Sequence, residues 1–94
     1  MRLTHNEVTL LKEKLASMSS EARLYLFGSR ADDSKRGGDI DLLVVSNKLT
    51  KRDLRYLRLA FFEVFGEQKL DIVLDDGSFK DPFRKIISQK VIRL

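Results

Sequence analysis

The sequence predicts an α/β chain of the α+β type, a small mixed sheet flanked by helices in the order α-β-(α)-β-α-β-α. Three observations predict it. Two stretches, residues 4–18 and 50–65, carry apolar residues at helical spacing. Three short runs, residues 23–27, 39–45 and 70–74, are aliphatic or aromatic and end in turn residues. Helical and extended segments alternate along the chain, the pattern of one strand layer covered by helices. The 94 residues suit one domain spanning 1–94, with no repeat, low-complexity tract or linker. A chain of this size buries only about 60–65% of the surface its unfolded form exposes. An enzyme so small would borrow part of its active-site wall from its acceptor or a second subunit.

Each element has its own local signal. Thr4 and Glu7 stand at capping-box spacing, and Val8, Leu11, Leu15 and Met18 form one stripe before Ser17 to Ser20 ends it. Arg23 to Phe27 is a strand that stops at Gly28-Ser29. Residues 29–38 hold little apolar content and read as a loop, with room for one helical turn at its start. Asp39 to Val45 is the second strand. Thr50 caps a helix with Asp53 three residues on; Leu54, Leu57, Phe61, Val64 and Phe65 line its inner face, and Gly66 stops it. Leu70 to Leu74 is the third strand, followed by turn chemistry at Asp75-Asp76-Gly77-Ser78. Asp81-Pro82 suits an N-cap and first helical position, which predicts a last helix running to about Val91. The helix between the second and third strands makes those strands parallel, with a right-handed crossover.

Composition narrows the chemistry. The chain is 43% hydrophobic and 34% charged, as expected of a soluble globular protein, and a cytoplasmic location is expected. No apolar run approaches the roughly 20 residues of a membrane span, and the N-terminus shows no apolar signal region. With no cysteine, disulfides, thiolate catalysis and cysteine-based zinc sites are excluded. His5, the one histidine, leaves no basis for a Ser-His-Asp triad or a histidine-rich metal site. The net charge of +4 favours an anionic partner such as a nucleotide, a nucleic acid or an acidic protein face, although a mildly basic protein need have none.

The chemistry concentrates in aspartates. Side chains alternate along a strand, so Asp39 and Asp41 share one face, while Ile40, Leu42 and Val44 share the other, the core face. Two carboxylates about 7 Å apart at their base repel, and a hard divalent cation turns that repulsion into a binding site. Asp-x-Asp alone is a weak signal, read more readily as two solvated residues at a strand start. Asp71 adds weight, because it interrupts an otherwise aliphatic strand, where a charge calls for a partner or an open edge. If its strand neighbours that of Asp41, three carboxylates can converge. Gly28 lets the backbone approach a ligand, Ser29 offers a hydroxyl and an N–H, and Arg30 is placed to pair with phosphate oxygens. An ordinary strand-to-loop turn is the plain alternative.

Together, Leu26-Phe27-Gly28-Ser29-Arg30, the stretch from Arg30 to Gly38, and Asp39-Ile40-Asp41-Leu42-Leu43-Val44 resemble the signature of the DNA polymerase beta-like nucleotidyltransferase superfamily. Asp71 matches its later third carboxylate. The resemblance covers about residues 5–75 and implies a nucleotidyltransferase fold. Within the superfamily the chain looks most like the minimal nucleotidyltransferases, antitoxins paired with helical HEPN-domain toxins. That likeness implies transfer of AMP from ATP to a tyrosine of the partner toxin. By the same resemblance, Gly28 and Ser29 hold the β- and γ-phosphates, and Asp39 and Asp41 bind two Mg²⁺ ions. Asp71 completes the second metal site and helps deprotonate the acceptor hydroxyl, and Arg30 steadies the triphosphate.

Other features are less specific. Lys51, Arg55 and Arg58 fall on one helix face, either a docking stripe for an acidic partner or RNA or a solvated surface. Lys35 and Arg36 stand beside Gly37-Gly38 where they could gate a nucleotide. Tyr56, Phe62 and Phe79 are candidates for a subunit interface, and Phe27, Phe61 and Phe65 for the core. The acidic Asp75-Asp76 pair reads as a turn and would replace Asp71 only under a shifted strand register. The rival functions are a non-catalytic antitoxin that neutralises a partner by contact, and a basic nucleic-acid-binding module. The second lacks an RNP-type aromatic signature or a helix-turn-helix spacing.

Overall fold

The structure is a computed structural model that describes residues 3–31 and 38–94. Helix α1 (His5–Met18) starts at a reciprocal cap. The Thr4 hydroxyl accepts from the Glu7 N–H at 3.1 Å, and the Glu7 carboxylate accepts from the Thr4 N–H at 2.8 Å. Helix α2 (Lys51–Phe65) repeats the device with Thr50 and Asp53 and ends at Gly66, whose φ of 85° suits only glycine. Strands β1 (Arg23–Phe27), β2 (Ile40–Val45) and β3 (Leu70–Asp75) stand where aliphatic and aromatic runs predict them. Among the described residues the sheet has four strands in the order β3-β2-β1-β4, the last being the short Ile92–Arg93. β2 and β3 are parallel, as a helical crossover requires, and β1 lies antiparallel to β2.

Strand alternation divides the core in two. On one face Leu24, Leu26, Ile40, Leu42, Val44 and Leu70 pack beneath α1 and α2, against Leu11, Leu15, Leu54, Leu57 and Phe61. On the other, Leu43 and Val45 meet Ile87, with Tyr25, Phe27, Val73, Phe79 and Val91 around them. The second face is covered only by the short α3 (Pro82–Ile87) and its flanking segments. The helices therefore seal one side of the sheet and leave much of the other open.

Several expectations need correction. The last helix stops at Ile87, well short of Val91. Ser88 caps it, and Gln89 and Lys90 turn back through N–H bonds to Ile86 and Ile87 at 3.2 and 3.0 Å. The released Ile92–Arg93 form β4 along β1, and the Leu94 N–H donates to the Leu24 carbonyl at 3.0 Å. A β-branched segment beside an unpaired strand edge gains more by pairing than by extending a helix. Asp39 lies one residue before the second strand, which begins at Ile40. Val64 is 62% exposed instead of inward-facing. Phe61 and Phe65, with ring centroids 4.9 Å apart, fill that end of the core in its place. Phe62 packs against the first core and Phe79 against the second, while Tyr56 is 62% exposed.

Candidate functional site: an aspartate pair beside a glycine turn

β2 and β3 pair in a register that sets Asp41 directly against Asp71. Partners in a parallel ladder point to the same face of the sheet, and adjacent strands lie only about 4.8 Å apart. Both carboxylates therefore stand together on the face that carries Leu43 and Val73, away from α1 and α2. They keep access to solvent because no long helix covers that side: Asp71 is exposed and Asp41 half-buried.

The pair is electrostatically strained. Burial pushes the Asp41 carboxyl above the ordinary carboxylate range, and the charges of Asp71 and then Asp39 push it further; the Lys69 ammonium opposes them. Asp39 itself pairs with Lys69, Oδ2 to Nζ, at 3.7 Å on an exposed surface. Lys69 belongs to none of the motifs legible in the sequence. Its signal is its place one step before Leu70, because the register Ile40↔Leu70 brings residue 69 beside residue 39. The Ile40 N–H bond to the Lys69 carbonyl, 3.0 Å, anchors the same corner.

Gly28 completes the site. It begins a 3-10 turn, Gly28–Ala31, immediately after Phe27, which pairs with Asp41. Its φ is +76°, a conformation that disfavours any side chain, and a Cβ here would collide with the Asp41 carboxylate. Glycine is thus required twice, by the backbone and by the acid that the turn overlies. Ser29 lies in this turn, and its side chain is outside the described residues, as are Lys35, Arg36 and Gly37. Arg30 donates from a guanidinium nitrogen to the Gly38 carbonyl at 3.0 Å, tying the turn to the approach of β2. Asp75 takes no part. It pairs with Val45 at the other end of β3, is buried, and its carboxylate accepts from the Gly77 and Phe79 N–H groups at 2.7 and 3.2 Å.

The donor set suits a hard cation in kind. Asp41 and Asp71 offer oxygens on one face, and a positive charge between them would relieve their repulsion. Among the described residues, no group of three or more His, Cys, Asp or Glu side chains is drawn close enough to hold a metal ion. Asp39 would have to exchange Lys69 for the cation to join the other two.

Fold and site together define a class: a small mixed-sheet domain with paired carboxylates on its open face beside a glycine turn. The chain belongs to the nucleotidyltransferase domain family, whose model matches residues 8–93. This bears out the expected family and fold, and nucleotidyl transfer is the general chemistry of that domain. No curated protein gives a significant match. Among the described residues, no helix is long and apolar enough to cross a membrane.

Proposed function

We propose that this chain transfers a nucleoside monophosphate, AMP from ATP, to a hydroxyl of a partner protein. The observation that carries the catalytic reading is the in-register Asp41–Asp71 pair beneath Gly28. The finer identities rest on the resemblance carried by residues 26–30 and 39–44. They are a tyrosine acceptor, a HEPN-domain toxin as partner, and an antitoxin role in the cytoplasm.

In this reading the Gly28 turn binds the triphosphate, Gly28 and Ser29 holding the β- and γ-phosphates as the resemblance implies. Arg30, whose guanidinium donates to the Gly38 carbonyl, would steady the triphosphate. The acceptor oxygen bonds to the α-phosphorus while the bond to the α,β-bridging oxygen breaks, and pyrophosphate leaves. Asp71, the more exposed acid of the pair, draws off the hydroxyl proton. Two Mg²⁺ ions held by Asp39, Asp41 and Asp71 would supply charge neutralisation at the α-phosphate and the leaving pyrophosphate. Holding acceptor and nucleotide in line is the remaining contribution of the protein.

The test is incubation with α-labelled ATP, Mg²⁺ and the product of the neighbouring gene. Label should appear on a partner tyrosine and disappear with EDTA. Asp41→Asn should lower the rate at least about a hundredfold, the scale of losing one preorganised charge-stabilising group. Label that persists in this variant removes Asp41 from the site. A tight complex without label supports neutralisation by contact. Salt-sensitive binding to plain nucleic acid, unchanged in Asp41→Asn, supports the nucleic-acid module.

A further inference from the structure

We infer that the free edge of β3 is a docking groove for an extended acidic segment of a partner protein, which adds to the sheet as a further strand. β3 stands at one end of the sheet, with β2 on its other side. In a parallel ladder both backbone groups of a residue point the same way, and successive residues alternate. The carbonyls of Lys69 and Asp75 accept from β2 and its continuation, at 3.0 and 2.9 Å. Odd-numbered residues therefore face β2, and the N–H and C=O groups of Ile72 and Leu74 face outward. The Leu70 carbonyl confirms the phase: it is turned away from β2 and accepts from the Arg58 Nε at 3.2 Å.

A groove of about 450 Å³ runs along this edge between α2 and α3. Its floor is Leu54 and the strand residues 72–74, and its walls carry Lys51, Arg55, Arg58 and Arg84 beside Phe83. None of the described lining residues is acidic. Asp81, outside the groove, pairs with one Arg84 nitrogen at 3.4 Å, yet the Arg84 Nε is buried with no hydrogen-bond partner among the described residues. A buried N–H of this kind calls for an acceptor.

Charge and backbone together select the occupant. Main-chain groups at 72 and 74 call for another main chain, which a nucleic acid lacks. A second copy of β3 would bring Lys51 and Arg55 against their own equivalents, so self-pairing is opposed. An incoming strand with alternating acidic and apolar residues satisfies both demands: its carboxylates meet the α2 cations and its apolar residues meet Phe83. The groove needs neither metal nor nucleotide, so this inference stands apart from the catalytic reading.

The probe is a capped hexapeptide of alternating glutamate and valine, matched to the six residues of β3, titrated into the whole chain in EDTA. Binding should slow hydrogen exchange at the Ile72 and Leu74 amides at least about tenfold. The exposed double variant Lys51→Glu/Arg55→Glu should weaken it at least about tenfold. The same peptide N-methylated at alternate residues should not bind. Equal binding of the methylated peptide, or indifference to the charge reversal, overturns the proposal. So does an oligouridylate that displaces the peptide at equal concentration, which would assign the groove to nucleic acid.

Discussion

Gly28 and Asp41 constrain one another. The turn overlies the carboxylate so closely that a single methyl group at Gly28 would strike it, on a backbone already at positive φ. Gly28→Ala should therefore cost about 1–3 kcal/mol of stability, measured by urea denaturation, and should also weaken nucleotide binding. Asp41 gives a prediction of the opposite sign. Its carboxyl is held above the ordinary aspartate value of 3.8 by burial and by Asp71 and Asp39. An acid with a raised folded pKa favours the folded state in its protonated form. That contribution is complete below about pH 3.8 and is lost as pH rises through the elevated folded value. In metal-free buffer Asp41→Asn should thus be more stable than the parent at neutral pH, with the gap closing in acid. Asp41 is only half-buried and solvent screens its charge, so the gain should stay below about 1 kcal/mol. Thermal melts of both proteins across this range check the sign, and equal slopes would dissociate Asp41 from the acidic cluster.

At the level of elements, the two long helices are set by reciprocal caps and by one apolar face each. Thr50→Ala removes the hydroxyl that accepts from the Asp53 N–H and should cost about 1 kcal/mol, read as a lower denaturation midpoint. The C-terminal strand is more conditional. Residues 92–93 are extended because the edge of β1 is there to receive them, and the Leu94 N–H fastens the end to Leu24. Deleting residues 92–94 should expose that edge and lower stability by about 1–2 kcal/mol. Faster hydrogen exchange in β1, with α2 unaffected, would be the accompanying signature.

Across the whole molecule, the uneven cover of the sheet separates stability from chemistry. The face under α1 and α2 holds Phe61, Leu11, Leu26, Leu42 and Leu57 with almost no exposure. The opposite face holds the acids. Phe61→Ala should cost about 3–5 kcal/mol, a large share of the roughly 5–14 kcal/mol that a chain of this length can have. Much of that variant should be unfolded at modest urea concentrations. The open face tolerates charge because no long helix covers it.

The sequence by itself determined the elements that depend on local chemistry. Capping residues, helical apolar spacing, glycine stops and the alternation that puts Ile40, Leu42 and Val44 on the core face are all properties of neighbours in the chain. Together with the spacing of Gly28-Ser29 and Asp39-Ile40-Asp41, they made the family legible. Tertiary structure decided whatever depends on partners far apart in sequence. The register bringing Asp71 to Asp41, the claim of Lys69 on Asp39, the collision that requires Gly28, and the diversion of residues 92–93 into a strand all arise there. Local propensities cannot encode these, because each is settled by which remote edge, charge or side chain is at hand once the sheet has closed.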